Sequence, residues 1–171
     1  MLKNPVRDDR KIRWINPSLK ESKTNMFKHI LLATDGSAAS EHAAQIAADM
    51  ARTHGAKLTA LYVVDPYPYL GIGESNPLGF QAYMSAAHEH AAQAHAKVAE
   101  LCSLGDAPVA LQARISEDLT ASAGIVQTAK DEGADLIVMG SHGRTGLVRF
   151  MVGSVAAKVL AESTLPVLVV R

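Results

Sequence analysis

From Met26 onward the chain alternates short apolar runs with longer segments in which apolar residues recur every three or four positions. Ile30 to Ala33 is a compact run that breaks at Thr34, Asp35, Gly36 and Ser37. Ala39, Ala43, Ile46 and Met50 then share one helical face, and Gly55 supplies a left-handed stop. Leu58 to Val64 predicts a second strand, closed by Asp65, Pro66 and a loop rich in glycine and proline. A stripe of Phe80, Met84, Ala87, Ala91, Ala94, Val98 and Leu101 predicts a long second helix. Val109 to Ile115 predicts a third strand, and Ile125, Val126 and Ala129 a third helix that stops at Gly133. Leu136 to Met139 is the fourth strand, Met151 to Leu160 the fourth helix, and Val167 to Val170, after Pro166, the last strand.

This βαβαβαβαβ order implies a parallel sheet. Continuous apolar runs mark strands covered on both faces, as when helices flank a parallel sheet. Right-handed crossovers then predict a doubly wound α/β fold, which binds ligands at the carboxyl ends of its strands where the strand order reverses. At 171 residues the chain has room for one such domain. Residues 1–25 do not join the pattern: they carry Pro5 and Pro17, with Trp14 and Ile15 as their conspicuous apolar pair. They are expected to form an extended or partly disordered arm ahead of a domain at 26–171.

Charge separates the same two parts. Seventeen bases balance seventeen acids, and a net charge of zero argues against a nonspecific nucleic-acid binder. Yet residues 1–25 hold seven bases and three acids, net +4, which leaves ten bases and fourteen acids, net −4, for the domain. Cys102 is the single cysteine, so no intramolecular disulfide forms, and it is expected to be a packed thiol in a reducing compartment. No apolar run approaches the roughly 20 residues of a membrane span, and no signal-peptide core is visible, so a cytoplasmic protein without membrane contact is expected. His88, His90 and His95 lie close together on the second helix, but no pair has the one-turn spacing of a helical zinc site.

Two strand ends carry candidate chemistry. After the fourth strand come Gly140, Ser141, His142, Gly143, Arg144, Thr145 and Gly146, and then Gly153 and Ser154 at a helix start. Glycines let backbone N–H groups approach an anion, and a helix N-terminus adds unpaired donors with partial positive charge. Ser154 offers a hydroxyl, while Arg144 and protonated His142 offer positive charge, so the set fits a triphosphate. The plainer alternative is that the glycines build turns and Ser154 caps its helix. Asp35, after the first strand, can accept hydrogen bonds from ribose hydroxyls or hold Mg²⁺, or can simply form a turn. Val63 can contact a purine ring; by itself it would suggest only core. Ala33, Thr34 and Met139 are the strand-end neighbours of these residues.

Three stretches resemble the universal stress protein family: Ile30 through Ser37, Ala134 through Gly146, and Gly153-Ser154-Val155 through Val170. The resemblance covers residues 27–171 and implies a five-stranded sheet in the order 3-2-1-4-5, with Asp35 and Gly140 on two sides of one crevice. The spacing Gly140-x2-Gly143-x9-Gly153-Ser154 resembles that of the family's ATP-binding members. It implies Asp35 at the ribose and possible Mg²⁺, Val63 at adenine, and Gly140, Gly143, Gly153, Ser154 and Val155 at the phosphates. Ala156 departs from a hydroxyl residue common in binders, and residues 120–124 lack an expected proline. The family also implies a homodimer through Val167, Leu168, Val169 and Val170, an edge strand with unpaired backbone. No phosphate-loop lysine or dinucleotide glycine motif is present. His142 and Asp35 show no orienting partner in the sequence, so hydrolysis is expected to be slow or absent. A nucleotide-dependent signalling or protective module is the expectation; a nucleotide-free interaction protein, or a weak ATPase or autophosphorylating protein, is the alternative.

Overall fold

The computed structural model describes residues 25–66, 77–105, 107–143 and 152–171. Apart from Asn25, the expected arm lies outside them, as do Arg144 and Met151. The elements run β1 (His29–Ala33), α1 (Ala38–His54), β2 (Lys57–Val63), α2 (Pro77–Ser103), β3 (Leu111–Ser116), α3 (Ala121–Asp131), β4 (Leu136–Gly140), α4 (Ser154–Glu162) and β5 (Val167–Val170). All strand pairs are parallel, in the order β3-β2-β1-β4-β5, the architecture expected from the sequence.

Strand periodicity divides the core into two layers. Ile30, Leu32, Leu58, Ala60, Leu136, Val138 and Val170 face α1 and α2. Leu31, Ala33, Leu61, Ile137 and Met139 face α3 and α4. β1 and β4 are therefore buried along their whole length. Burying each large aliphatic side chain contributes about 1.5–3 kcal/mol. α1 meets the sheet through Ala43, Ala44, Ala47, Ala48 and Ala51, whose small side chains let the helix come close. Its ends follow local chemistry: Ser37 caps the N-terminus, and Gly55 at φ 63° turns the chain out, with Ala56 N–H donating to Ala51 O at 2.8 Å. Among the described residues, no helix is long and apolar enough to cross a membrane.

Two boundaries differ from expectation. β3 begins at Leu111, because Val109 N–H donates to Cys102 O at 3.0 Å and so belongs to the turn that closes α2. As an edge strand β3 is largely exposed, not covered on both faces. α4 begins at Ser154, with Gly153 as its cap. Cys102 is buried, as expected for a packed thiol.

Two histidines carry buried ring nitrogens at a cost. His29 is buried with Nε2 2.8 Å from Thr59 Oγ1. Burial, reinforced by Lys57, holds its pKa below the usual imidazole value. Among the described residues, Nε2 of His95 on α2 is buried without a hydrogen-bond partner. Burial lowers its pKa too, partly offset by the backbone at Ala60 and Arg114, which favours the charged ring. For both, the folded state prefers the neutral ring. Their contribution is complete above the unfolded pKa, about 6.5, and is lost as pH falls below it. Urea denaturation should therefore show a lower unfolding free energy at pH 5.5 than at pH 7.5, with a shallower pH slope in His95→Leu. An equal slope in that variant would contradict the account.

Candidate functional site

The strand ends open a crevice because the central strand stops first. The β1 ladder ends at Ala33, paired with Leu61 and Met139, and Thr34 N–H to Leu61 O at 2.9 Å is its last rung toward β2. On either side, β2 continues with β3 to Val63, and β4 continues with β5 to Gly140. The resulting cavity is about 450 Å³, within the range of small-molecule sites, roughly 300–1,000 Å³.

The β1 loop is held by a short hydroxyl chain. Asp35 Oδ1 accepts from Ser37 N–H at 3.0 Å and from Ser37 Oγ at 2.6 Å. Ser37 Oγ accepts from Ser40 N–H at 3.3 Å, and Ser40 Oγ donates to Ser37 O at 2.9 Å. Thr34 Oγ1 donates to Ser40 Oγ at 3.3 Å. Asp35 is thus both a turn-former and a cavity residue.

The β4 loop is held through Ser141. Its N–H donates to Val170 O at 2.6 Å, and its carbonyl accepts from Gly153 N–H at 2.8 Å. Its Oγ lies 3.0 Å from His142 Nδ1. The expectation that Asp35 and His142 lack orienting partners is therefore wrong: Ser37 and Ser141 provide them.

The glycines have reasons of their own. A Cβ on Gly140 would lie 3.0 Å from the Ala39 carbonyl and 3.1 Å from Ser40 N. One on Gly143 would lie 2.8 Å from Asp35 Oδ2, and one on Gly153 would lie 3.0 Å from Ser141 O. Each glycine leaves room for the protein's own atoms, not only for an approaching anion. Gly153 caps α4 and its N–H is committed to Ser141, so Ser154 is the first helical residue and not the cap. The helix start leaves the N–H groups of Ser154, Val155 and Ala156 without intrahelical acceptors.

The opposite wall is apolar, formed by Leu61, Val63, Ala121, Ile125 and Met139. α3 comes close here because position 124 is glycine; a Cβ there would lie 3.1 Å from Val63 Cγ1. This contact, without a proline, shapes the segment at 120–124. Ala156, at the position where the resemblance implies a hydroxyl residue, is buried in the core and lines the cavity.

Ala33, Thr34, Asp35, Val63, Met139, Gly140, His142, Gly143, Gly153, Ser154 and Val155 all line this cavity. Arg144 lies outside the described residues. Ser40, Leu61, Asp65, Ala121, Ile125, Ser141 and Val152 also line the cavity and are not among the site residues expected from the sequence. Asp65 follows β2 as Asp35 follows β1, a positional signal that was available. Tyr83 Oη fixes its carbonyl at 2.7 Å.

The model of the universal stress protein family matches residues 26–171. A universal stress protein of Methanocaldococcus jannaschii is 34% identical over 158 residues, 92% of this chain and 90% of that protein. The structure of universal stress protein UspA from Lactobacillus plantarum is 30% identical with a TM-score of 0.66, covering 84% of this chain and 97% of that one. Two more distant structures share the fold. A universal stress protein from Archaeoglobus fulgidus in complex with dAMP is 20% identical with a TM-score of 0.60, covering 84% of this chain and 98% of that one. Another in complex with cAMP is 24% identical with a TM-score of 0.53, covering 85% and 97%.

The glycine contacts separate two kinds of substitution. Gly140→Ala presses on α1 backbone and should lower the unfolding free energy by about 1–3 kcal/mol, as measured by urea denaturation. Gly143→Ala presses on Asp35 Oδ2, a side-chain atom that the Ser37 hydrogen bonds hold in place, and should lower the unfolding free energy by less than Gly140→Ala, because a side-chain end yields more readily than backbone.

Proposed function

The chain belongs to the universal stress protein family, and from that premise we propose that its crevice binds ATP as the ligand of a signalling or protective module. The observation that carries this reading is the meeting, over the end of β1, of three unlike surfaces. One is the Asp35 carboxylate, the second the open first turn of α4, and the third the apolar wall at Val63. A nucleotide has parts to match: ribose hydroxyls, a polyanion and a flat ring.

In this reading the ring lies against Val63, Ala121 and Ile125, beside the stretch of β2 that runs past its last rung with β1. Asp35 accepts from the ribose. The phosphates lie along residues 140–143 and meet the N–H groups of Ser154, Val155 and Ala156, where the α4 dipole favours negative charge. Asp35 and Asp65 are the acidic residues of the described lining, so a polyphosphate there needs compensating cations. Mg²⁺ near Asp35 and the side chain of Arg144 are the proposed sources. That other proteins of this fold were solved with dAMP and cAMP supports an adenine nucleotide as the ligand.

The test is titration calorimetry of the full chain with Mg-ATP, together with native mass spectrometry of the protein as purified. Saturable binding is expected, weakened at least tenfold in Asp35→Ala. A chain that carries no nucleotide and takes none up on titration would refute the reading and favour a nucleotide-free interaction protein.

We also propose a homodimer through β5, the edge of the sheet beside β4. Val167, Leu168 and Val169 are only partly buried, and Leu160 on the adjacent α4 is 48% exposed. Edge strands with open backbone groups readily pair with a second copy. Val169→Pro removes a donor from that edge and should yield a monomer by light scattering; an unchanged dimer mass would count against β5 as the interface.

A further inference from the structure

We propose that Ser37 is the positioning residue of the crevice, setting which Asp35 oxygen is presented to a ribose; the inference rests on the nucleotide reading above. Ser37 directs two donors, its N–H at 3.0 Å and its hydroxyl at 2.6 Å, to the same atom, Asp35 Oδ1. The other oxygen, Oδ2, faces Gly143 across the crevice, so close that a Cβ there would be 2.8 Å away. With Oδ1 held from behind and Oδ2 set against the opposite loop, the carboxylate plane has little freedom to turn. The hydroxyl is itself oriented, because it accepts from Ser40 N–H at 3.3 Å and so points its proton to Asp35. Hydrogen bonds to a carboxylate are stronger than neutral ones and lock its rotamer.

Ser37 thus does two jobs that substitutions can separate. It caps α1, and it donates to Asp35. Ser37→Thr keeps both. Ser37→Ala loses the cap and the hydroxyl donor. Ser37→Asp keeps a good cap but sets a carboxylate against Asp35 in place of a donor. A role confined to capping would spare Ser37→Asp, whereas a positioning role would not.

The readout is discrimination between ATP and 2′,3′-dideoxy-ATP, which share base and phosphates and differ only in the ribose hydroxyls. Any general change in the charge or stability of the crevice weakens both ligands and cancels in the ratio of their dissociation constants. The parent protein and Ser37→Thr should prefer ATP by about tenfold, the scale of one hydrogen bond to a charged group. Ser37→Ala and Ser37→Asp should lose most of that preference, whatever each does to the melting temperature, because stability changes cancel in the ratio. If Ser37→Asp and Ser37→Ala keep the full preference, Ser37 is only a cap and the inference falls while nucleotide binding stands. A parent protein that binds both ligands equally would overturn the ribose role of Asp35, and this inference with it; one that binds neither would overturn the nucleotide reading itself.

Discussion

The crevice depends on how near the backbone of α1 comes to the end of β4. At Gly140 the helix occupies the space where any other residue would carry its side chain. That contact sets the first turn of α1 hard against the strand end, which places Ser37 and Asp35 beside residues 141–143. The alanine face of α1 serves the same approach lower down, where Ala43, Ala47 and Ala51 lie against the sheet. A bulkier helix would ride higher and carry the β1 loop away from its partner loop. Small residues in α1 and at the strand end are thus two expressions of one geometric requirement.

Electrostatics gives the site a different character from the one suggested by its glycines. The domain from residue 26 carries net −4, and the described cavity lining adds Asp35 and Asp65. Attraction for a polyanion cannot come from the domain's overall field. It must come from short-range donors, chiefly the first turn of α4, whose influence falls off within one helical turn. Such a site gains selectivity from its shape, since an anion must reach the donors without approaching the carboxylates. For the nucleotide proposed above, counter-ions would be part of the recognition.

Much of the architecture was legible in the chain. The apolar runs at 30–33 and 136–139 are strands buried on both faces, and the stops at Gly55 and Gly133 have the positive φ that glycine accommodates. What misled was local ambiguity. Val109 is as apolar as a strand residue, yet its N–H goes to Cys102 and closes a turn. Met151 continues the apolar periodicity of α4, but the helix starts only at Ser154, after Gly153 has given its N–H to Ser141. At the site, eleven of the residues expected from sequence converge on one cavity, while the serines that hold it together went unread. Ser37, Ser40 and Ser141 act through hydrogen bonds to one another, to neighbouring side chains and to backbone. Serine carries no periodicity or spacing by which such a role could be recognised in advance.

The hydrogen bond from Gly153 to Ser141 has a topological meaning. It brings the two ends of the connection between β4 and α4 together at 2.8 Å. Ser141 and Gly153, the strand end and the helix cap, are therefore held directly to one another. The cost of closing a flexible loop rises only with the logarithm of its length, about 0.6 kcal/mol per doubling. A connection fastened in this way can change its length and surface chemistry while the strand end and the helix start stay in register.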